Sequence, residues 1–278
     1  MSTTAKRALW VVLLLACAGI VLLAVSAAVM WWKRRPQGRL GVPPLRHDLP
    51  LWKGGVAIMF GLGLLFPLVG AGIGAAVGLF CLLLRSIGVP DLAAAALTLG
   101  GAALLTGALH EDGLADVADG FGGGRDVAAK LEIMRDSRLG TYGALALVVS
   151  FASKLAALAA LPDGMVVQSL IAAHALGRGA LPWIAISLPY ARKDGLAANA
   201  GRPDGAIAAV AAGIALLIAI LALPLGSALL AAIAAGASAL IMMQLARRQI
   251  GGQTGDVLGG AEQVAETAIL VLLAARLG

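Results

Sequence analysis

Residues Leu92–Tyr142 read LAAAALTLGGAALLTGAL followed by HEDGLADVADGFGGGRDVAAKLEIMRDSRLGTY. The first part, Leu92–Leu109, is an apolar run of the length and composition of a membrane-crossing helix. The second, His110–Tyr142, packs seven acidic residues, four basic ones and a glycine cluster into one segment. On helical geometry Asp112, Asp116 and Asp119 stand at i, i+4 and i+7 on one face, and Glu132 and Asp136 repeat the i, i+4 relation. Between the two acidic faces Gly120, Gly122, Gly123 and Gly124 form a run without side chains, where the chain can turn sharply and approach a ligand. A helix hairpin of this kind would gather the five carboxylates.

The rest of the chain is mostly hydrocarbon. Of its 278 residues 60% are hydrophobic and 13% charged, whereas about a quarter of a soluble domain is charged. Aromatics are scarce and there are 37 glycines, which suits transmembrane helices that touch through small residues. The fold class implied is all-α, a polytopic helical bundle with about seven or eight transmembrane helices. The net charge of +6 is no signature of nucleic acid. Its basic residues lie in short loops between apolar runs, where they set orientation and meet anionic membrane lipid. Cys17 and Cys81 both lie inside apolar runs and read as small core residues, without a disulfide or a metal site.

Taken in order, Leu9 to Trp32 reads as a retained anchor, flanked by Lys6 and Arg7 before it and Lys33, Arg34 and Arg35 after it. Pro36 to Gly54 is a polar, proline-containing surface segment. Val56 to Leu84 is apolar, and Pro67 predicts a kink or a short re-entrant piece there. Leu92 to Leu109, Thr141 to Leu161, Met165 to Leu188, Ala206 to Ala222 and Ser227 to Leu245 are further crossings, and Val264 to Leu277 is a short final helix. Arg192 to Asp204 and Arg247 to Glu262 read as polar loops on the same side as His110 to Gly140. The positive-inside rule makes that side cytoplasmic, so the active-site loops of a multi-pass protein of the inner membrane would meet there.

Five carboxylates held together repel one another unless a cation or protons intervene. Oxygen donors without cysteine favour a hard ion, Mg2+ or Mn2+. Mg2+ commonly shares its shell with phosphates, and Arg125, Lys130, Arg135 and Arg138 are at hand for them. The local chemistry is metal-assisted phosphoryl transfer. A merely solvated loop would interleave lysines with its acids, and these acidic faces do not. A second polar island, Gly251–Gly260, offers Thr254 as a hydrogen-bond donor and Asp256 as a ligand for a metal or a ribose hydroxyl; a plain turn is the alternative. Arg178 and His174, at i, i+4 inside an apolar span, call for a polar cavity in which the arginine reaches a phosphate or an acid. Lys154 lies similarly in its span, paired or snorkelling.

At HEDGLADVADGFGGG, LEIMRDSRLGTYG and GGQTGDVLGGAEQVAE, and at FPLVGAGIG (Phe66 to Gly74) and HALGRGA (His174 to Ala180), the chain resembles the cobalamin synthase family. These are the adenosylcobinamide-GDP ribazoletransferases of vitamin B12 assembly. The resemblance divides the chain into residues 1–58, which lie outside it, and a family-like transmembrane domain at 59–278. A looser likeness joins Asp116-x-x-Asp119-Gly120 and Glu132-x-x-x-Asp136 to the signature of CDP-alcohol phosphotransferases. The family resemblance implies an Mg2+-dependent membrane enzyme that joins adenosylcobinamide-GDP to α-ribazole or its 5'-phosphate and releases GMP. It implies Asp112, Asp116, Asp119 and Asp136 as metal ligands, Glu132 as ligand or general base, and Arg138 and Arg178 as phosphate-binding residues. A transporter with an intramembrane ion site is the rival reading. It accounts for Arg178 and Lys154 but not for an acidic hairpin beside arginines.

Overall fold

The computed structural model describes residues 65–192 and 203–278. The expected anchor at Leu9 to Trp32, the polar segment after it, the beginning of the Val56 to Leu84 stretch and most of the Arg192 to Asp204 loop lie outside the described residues. Among the described residues ten helices follow one another: α1 (Phe66–Ser86), α2 (Asp91–Leu105), α3 (Leu109–Gly123), α4 (Val127–Ile133), α5 (Thr141–Ala160), α6 (Asp163–Gly179), α7 (Leu181–Ser187), α8 (Gly205–Ala222), α9 (Leu225–Ile250) and α10 (Gly255–Leu277). Within these residues six spans, counting α6 and α7 as one, are long and apolar enough to cross a membrane, and α2 with α3 would make a seventh. Among the described residues there is no β-strand, and Tyr190 and Gln253 form an isolated bridge. The chain is an all-α, multi-pass membrane protein.

Several boundaries depart from the periodicity of the sequence. Pro67 does not kink a longer helix within the described residues; it occupies the first turn of α1, where its missing N–H costs nothing. The crossing expected at Leu92 to Leu109 breaks instead at Gly107 and Ala108, both with positive φ (67° and 54°), and α3 leaves α2 at 91°. An alanine in the left-handed region is uncommon, so the neighbouring helices must hold it there. The last helix is no short apolar piece. It begins at Gly255, because the Thr254 hydroxyl accepts the Val257 N–H and caps it, and it carries Glu262 and Glu266 into the bundle.

Helix contacts are made through small residues. A Cβ at Gly70 or Gly74 would run into the backbone of His174 or Leu170, and one at Gly78 would lie 2.8 Å from the Val167 Cα. Glycines one turn apart thus let α1 and α6 touch backbone to backbone, as expected where lipid supplies no hydrophobic drive between helices. Gly72, on another face, meets nothing.

The bundle has two distinct ends. At one, Arg85 donates to the carbonyls of Leu158 and Leu161 (2.8 and 2.9 Å) and pairs with Asp163 and Asp91. Arg276 there donates to Ser227 at 3.1 Å. The connections between α1 and α2, α5 and α6, and α8 and α9 therefore share that end. The opposite end gathers the acidic stretch, α4, the Leu188–Arg192 segment and the turn between α9 and α10. Arg125, Lys130, Arg135, Arg138, Arg192, Arg247 and Arg248 belong to this end.

Candidate active site at one end of the bundle

The acid-bearing helix α3 is set by its contact with α10. A Cβ on Gly113 would lie 2.8 Å from the Asp256 carbonyl oxygen, and one on Gly259 would lie 3.3 Å from the His110 Cα. This closeness brings Asp112 and Asp116 of α3 into the field of Asp256. The carboxylates of Asp112, Asp256 and Asp119 all act repulsively on Asp116, and Arg192 opposes them. Asp116 and Asp256 are half-buried and Asp112 is exposed, so the group faces the open end.

Asp256 accepts from the Thr254 hydroxyl at 3.2 Å and from Arg192 Nη2 at 3.3 Å. Sequence reasoning passed over Arg192, which reads as one loop charge among several. It is delivered by a clamp: Gln253 N–H donates to the Pro189 carbonyl (2.8 Å), and Ala191 N–H donates to the Gln253 carbonyl (3.0 Å). A Cβ on Gly252 would collide with Pro189, so glycine is required for this approach. The glycine island is therefore a structural joint, with its Thr254 and Asp256 side chains turned to the site.

The other expected residues are distributed differently. Asp119 is 8% exposed, and its two oxygens accept the N–H groups of Gly140 (2.7 Å) and Gly143 (2.8 Å). It caps α5 from another helix, and a Cβ at either glycine would strike its carboxylate. Glu132 and Asp136 do not share a helical face. Helix α4 ends at Ile133, tight turns follow through Arg135 and Asp136, and Glu132 is exposed. Asp136 is bound by Arg138 through Nε and Nη2, and these charge-assisted bonds hold its carboxyl below the ordinary carboxylate range. Lys130 Nζ donates to Gln249 at 2.5 Å, while Arg125, Arg135 and Arg138 are exposed. The glycines after Asp119 serve packing, since a Cβ on Gly120 or Gly122 would strike Met134 or Tyr142.

Deeper in the bundle lies a second charged group. Arg178 is 5% exposed; it donates to Glu262 at 2.5 Å and lies 2.9 Å from His174 Nδ1. Of the two partners left open for Arg178, the structure supplies an acid. Lys154 donates to Gln263 (2.7 Å) and Glu266 (3.1 Å), and Glu266 faces His174 at 3.0 Å. His110, at the start of α3, lies 3.2 Å from Glu262 and so ties the acid helix to this core. In the sequence Glu262 closes the polar segment Arg247 to Glu262 and Glu266 sits in the final apolar helix, and neither reads as a site residue. Their i, i+4 spacing, which matches that of His174 and Arg178, was the available signal.

Two groups thus compete for a cation. His174, Glu262 and Glu266 present ligand atoms within 4.8 Å of one another. Arg178 and Lys154 already neutralise those acids, however, and a divalent ion there would leave surplus positive charge in an apolar interior. The Asp112, Asp116 and Asp256 set has excess negative charge, oxygen donors alone and access to the open end. Its chemistry fits a hard divalent ion that completes its shell with water and phosphate.

The profile described as cobalamin-5-phosphate synthase matches residues 54–274. An adenosylcobinamide-GDP ribazoletransferase of Bradyrhizobium diazoefficiens is 48% identical over 210 residues, covering 75% of this chain and 81% of the relative. Proteins of the same description from Azorhizobium caulinodans (47%, covering 76% and 83%) and Rhizobium etli strain CIAT 652 (46%, covering 76% and 85%) are similar. No solved structure is a significant match.

Proposed function

The chain belongs to the cobalamin-5-phosphate synthase family, and on that premise we propose that it is an Mg2+-dependent adenosylcobinamide-GDP ribazoletransferase. It joins adenosylcobinamide-GDP to α-ribazole or α-ribazole 5'-phosphate and releases GMP. The observation that carries this reading is the close contact of α3 with the start of α10, which sets Asp112, Asp116 and Asp256 in one another's field, with Arg192 paired to Asp256 at the basic end of the bundle.

In the reaction a ribose hydroxyl of the acceptor attacks the phosphorus on the cobinamide side. A new P–O bond forms, the bond to the GMP oxygen breaks, and a carboxylate takes the hydroxyl proton. Asp112, Asp116 and Asp256 would hold Mg2+, which supplies neutralisation of the phosphate oxygens. Asp119 fixes the acid helix against α5 and adds its charge to the group. Arg125, Arg135 and Arg138, on the exposed rim, attract the anionic substrate, and Lys130 braces α4 against α9. Arg178 acts from the core, holding Glu262 and, through it, the start of α3. Seven basic side chains among the described residues of this end, against Arg85 and Arg276 at the other, support a cytoplasmic orientation in the inner membrane.

The test is release of GMP by purified protein in proteoliposomes given adenosylcobinamide-GDP and α-ribazole 5'-phosphate, with and without Mg2+. Stoichiometric GMP and corrinoid product in the Mg2+ arm are expected. No product in either arm, from correctly inserted protein, would overturn the reading.

A further inference from the structure

Arg192 differs from the other buried or half-buried arginines of the described chain. Arg85 and Arg178 each make several contacts, to two carbonyls and two carboxylates in one case and to a carboxylate and two histidines in the other. Arg192 makes one long contact, from Nη2 to Asp256 at 3.3 Å; its buried Nε, like that of Arg85, has no hydrogen-bond partner, but unlike Arg85 it has no carboxylate among the described residues facing that atom. The Gln253 clamp nevertheless fixes the backbone at Pro189 and Ala191, directly before it, beside the acids. A guanidinium that is held this firmly at its root, with donors left over, is well matched to a further anion.

The charges around it point the same way. Of those acting most strongly on Asp116, Asp112, Asp256 and Asp119 repel, and Arg192 attracts. It attracts Asp256 as well. Arg192 therefore does in the protein alone part of what a divalent ion would do. The two cations cannot both lie against the same carboxylates without repelling each other.

We propose that Arg192 is an exchangeable counter-ion of the active site. It neutralises the Asp112, Asp116 and Asp256 group before the divalent ion binds, and it turns to the pyrophosphate oxygens of the nucleotide-activated substrate once the ion takes over that role. The inference rests on the functional reading given above. A fixed ion pair would behave in the opposite way, because its removal would loosen the carboxylates and weaken metal binding.

The test is Mn2+ titration of the full-length protein in nanodiscs, followed by the electron paramagnetic resonance of free Mn2+, for wild type, Arg192→Gln and Arg192→Lys. Removing a competing, partly exposed charge should tighten Mn2+ binding by Arg192→Gln about tenfold. Arg192→Lys keeps the charge and should bind Mn2+ within about threefold of wild type. It lacks the planar fork, so both variants should raise KM for adenosylcobinamide-GDP, by about tenfold. A misfolded variant cannot produce tighter binding. Unchanged or weaker Mn2+ binding by Arg192→Gln overturns the counter-ion role while leaving the functional reading intact. Wild-type protein that takes up no Mn2+ overturns the metal-dependent reading itself.

Discussion

The bundle holds two sets of carboxylates that differ less in composition than in company. In the core Glu262 and Glu266 are nearly or fully buried; Glu262 meets Arg178 and Gln263, and Glu266 meets Lys154 and His174. At the end of the bundle Asp112, Asp116, Asp119 and Asp256 lie close enough to repel, with Arg192 as the cation acting on both Asp116 and Asp256. The first set is electrically closed and holds helices together. The second is open and calls for a cation. By donor spacing alone the first set, with His174, is the better metal site, while charge balance favours the second.

The comparison is broken most directly by neutralising one member of each set. Glu262→Gln leaves Arg178 charged in an apolar interior, and a loss of about 3–5 kcal/mol in stability is expected. Thermal unfolding of detergent-solubilised protein would measure it, and an unaltered midpoint would mean that the core set is not closed. Asp116→Asn removes one charge from a group of like charges, so stability should hold or rise slightly. GMP release should nevertheless fall on the order of 100- to 1000-fold. Normal turnover in that variant would remove Asp116 from the site.

Glycine contacts offer a smaller effect that sharpens the contrast between helix faces. Gly74→Ala places a methyl group against the Leu170 backbone and should cost about 1–3 kcal/mol. Gly72→Ala meets open space and should be neutral to within about 0.5 kcal/mol. Equal melting points for the two would argue that α1 and α6 have room to part. Asp119→Asn keeps an accepting oxygen for only one of the two N–H groups at the start of α5 and loses the charge, so a cost of about 1–2 kcal/mol is expected. Faster amide exchange at Gly140 and Gly143 would report it, and unchanged protection there would mean that the charge of the cap contributes nothing.

Legibility in the sequence followed the same division. Membrane spans depend on the length of apolar runs, a local property, and α5, α8 and α9 lie close to where composition placed them. The break at Gly107 and Ala108 was hidden because Leu92–Leu109 is apolar throughout, and only the packing of α3 on α10 requires the turn. Glu262 reads as the end of a polar loop because polarity normally marks the end of a span, and Glu266 as a lone acid in the last helix; their partners come from α5 and α6, far away in sequence. Asp112 and Asp116 were legible as an acidic face. The cap made by Asp119, the turn that removes Asp136 from the face of Glu132, and the arrival of Arg192 beside Asp256 are all tertiary events with no local signature.

The glycine stripe of α1 has a mechanical consequence. Since Gly70 rests on the backbone at His174, the pair of helices has no layer of side chains between them to slide or compress. When the surrounding bilayer thins or thickens, α1 and α6 must tilt together as one rod. The ion pairs carried by His174 and Arg178 then keep their depth relative to α1, and lipid composition reaches the acidic end as a change of angle and not of register.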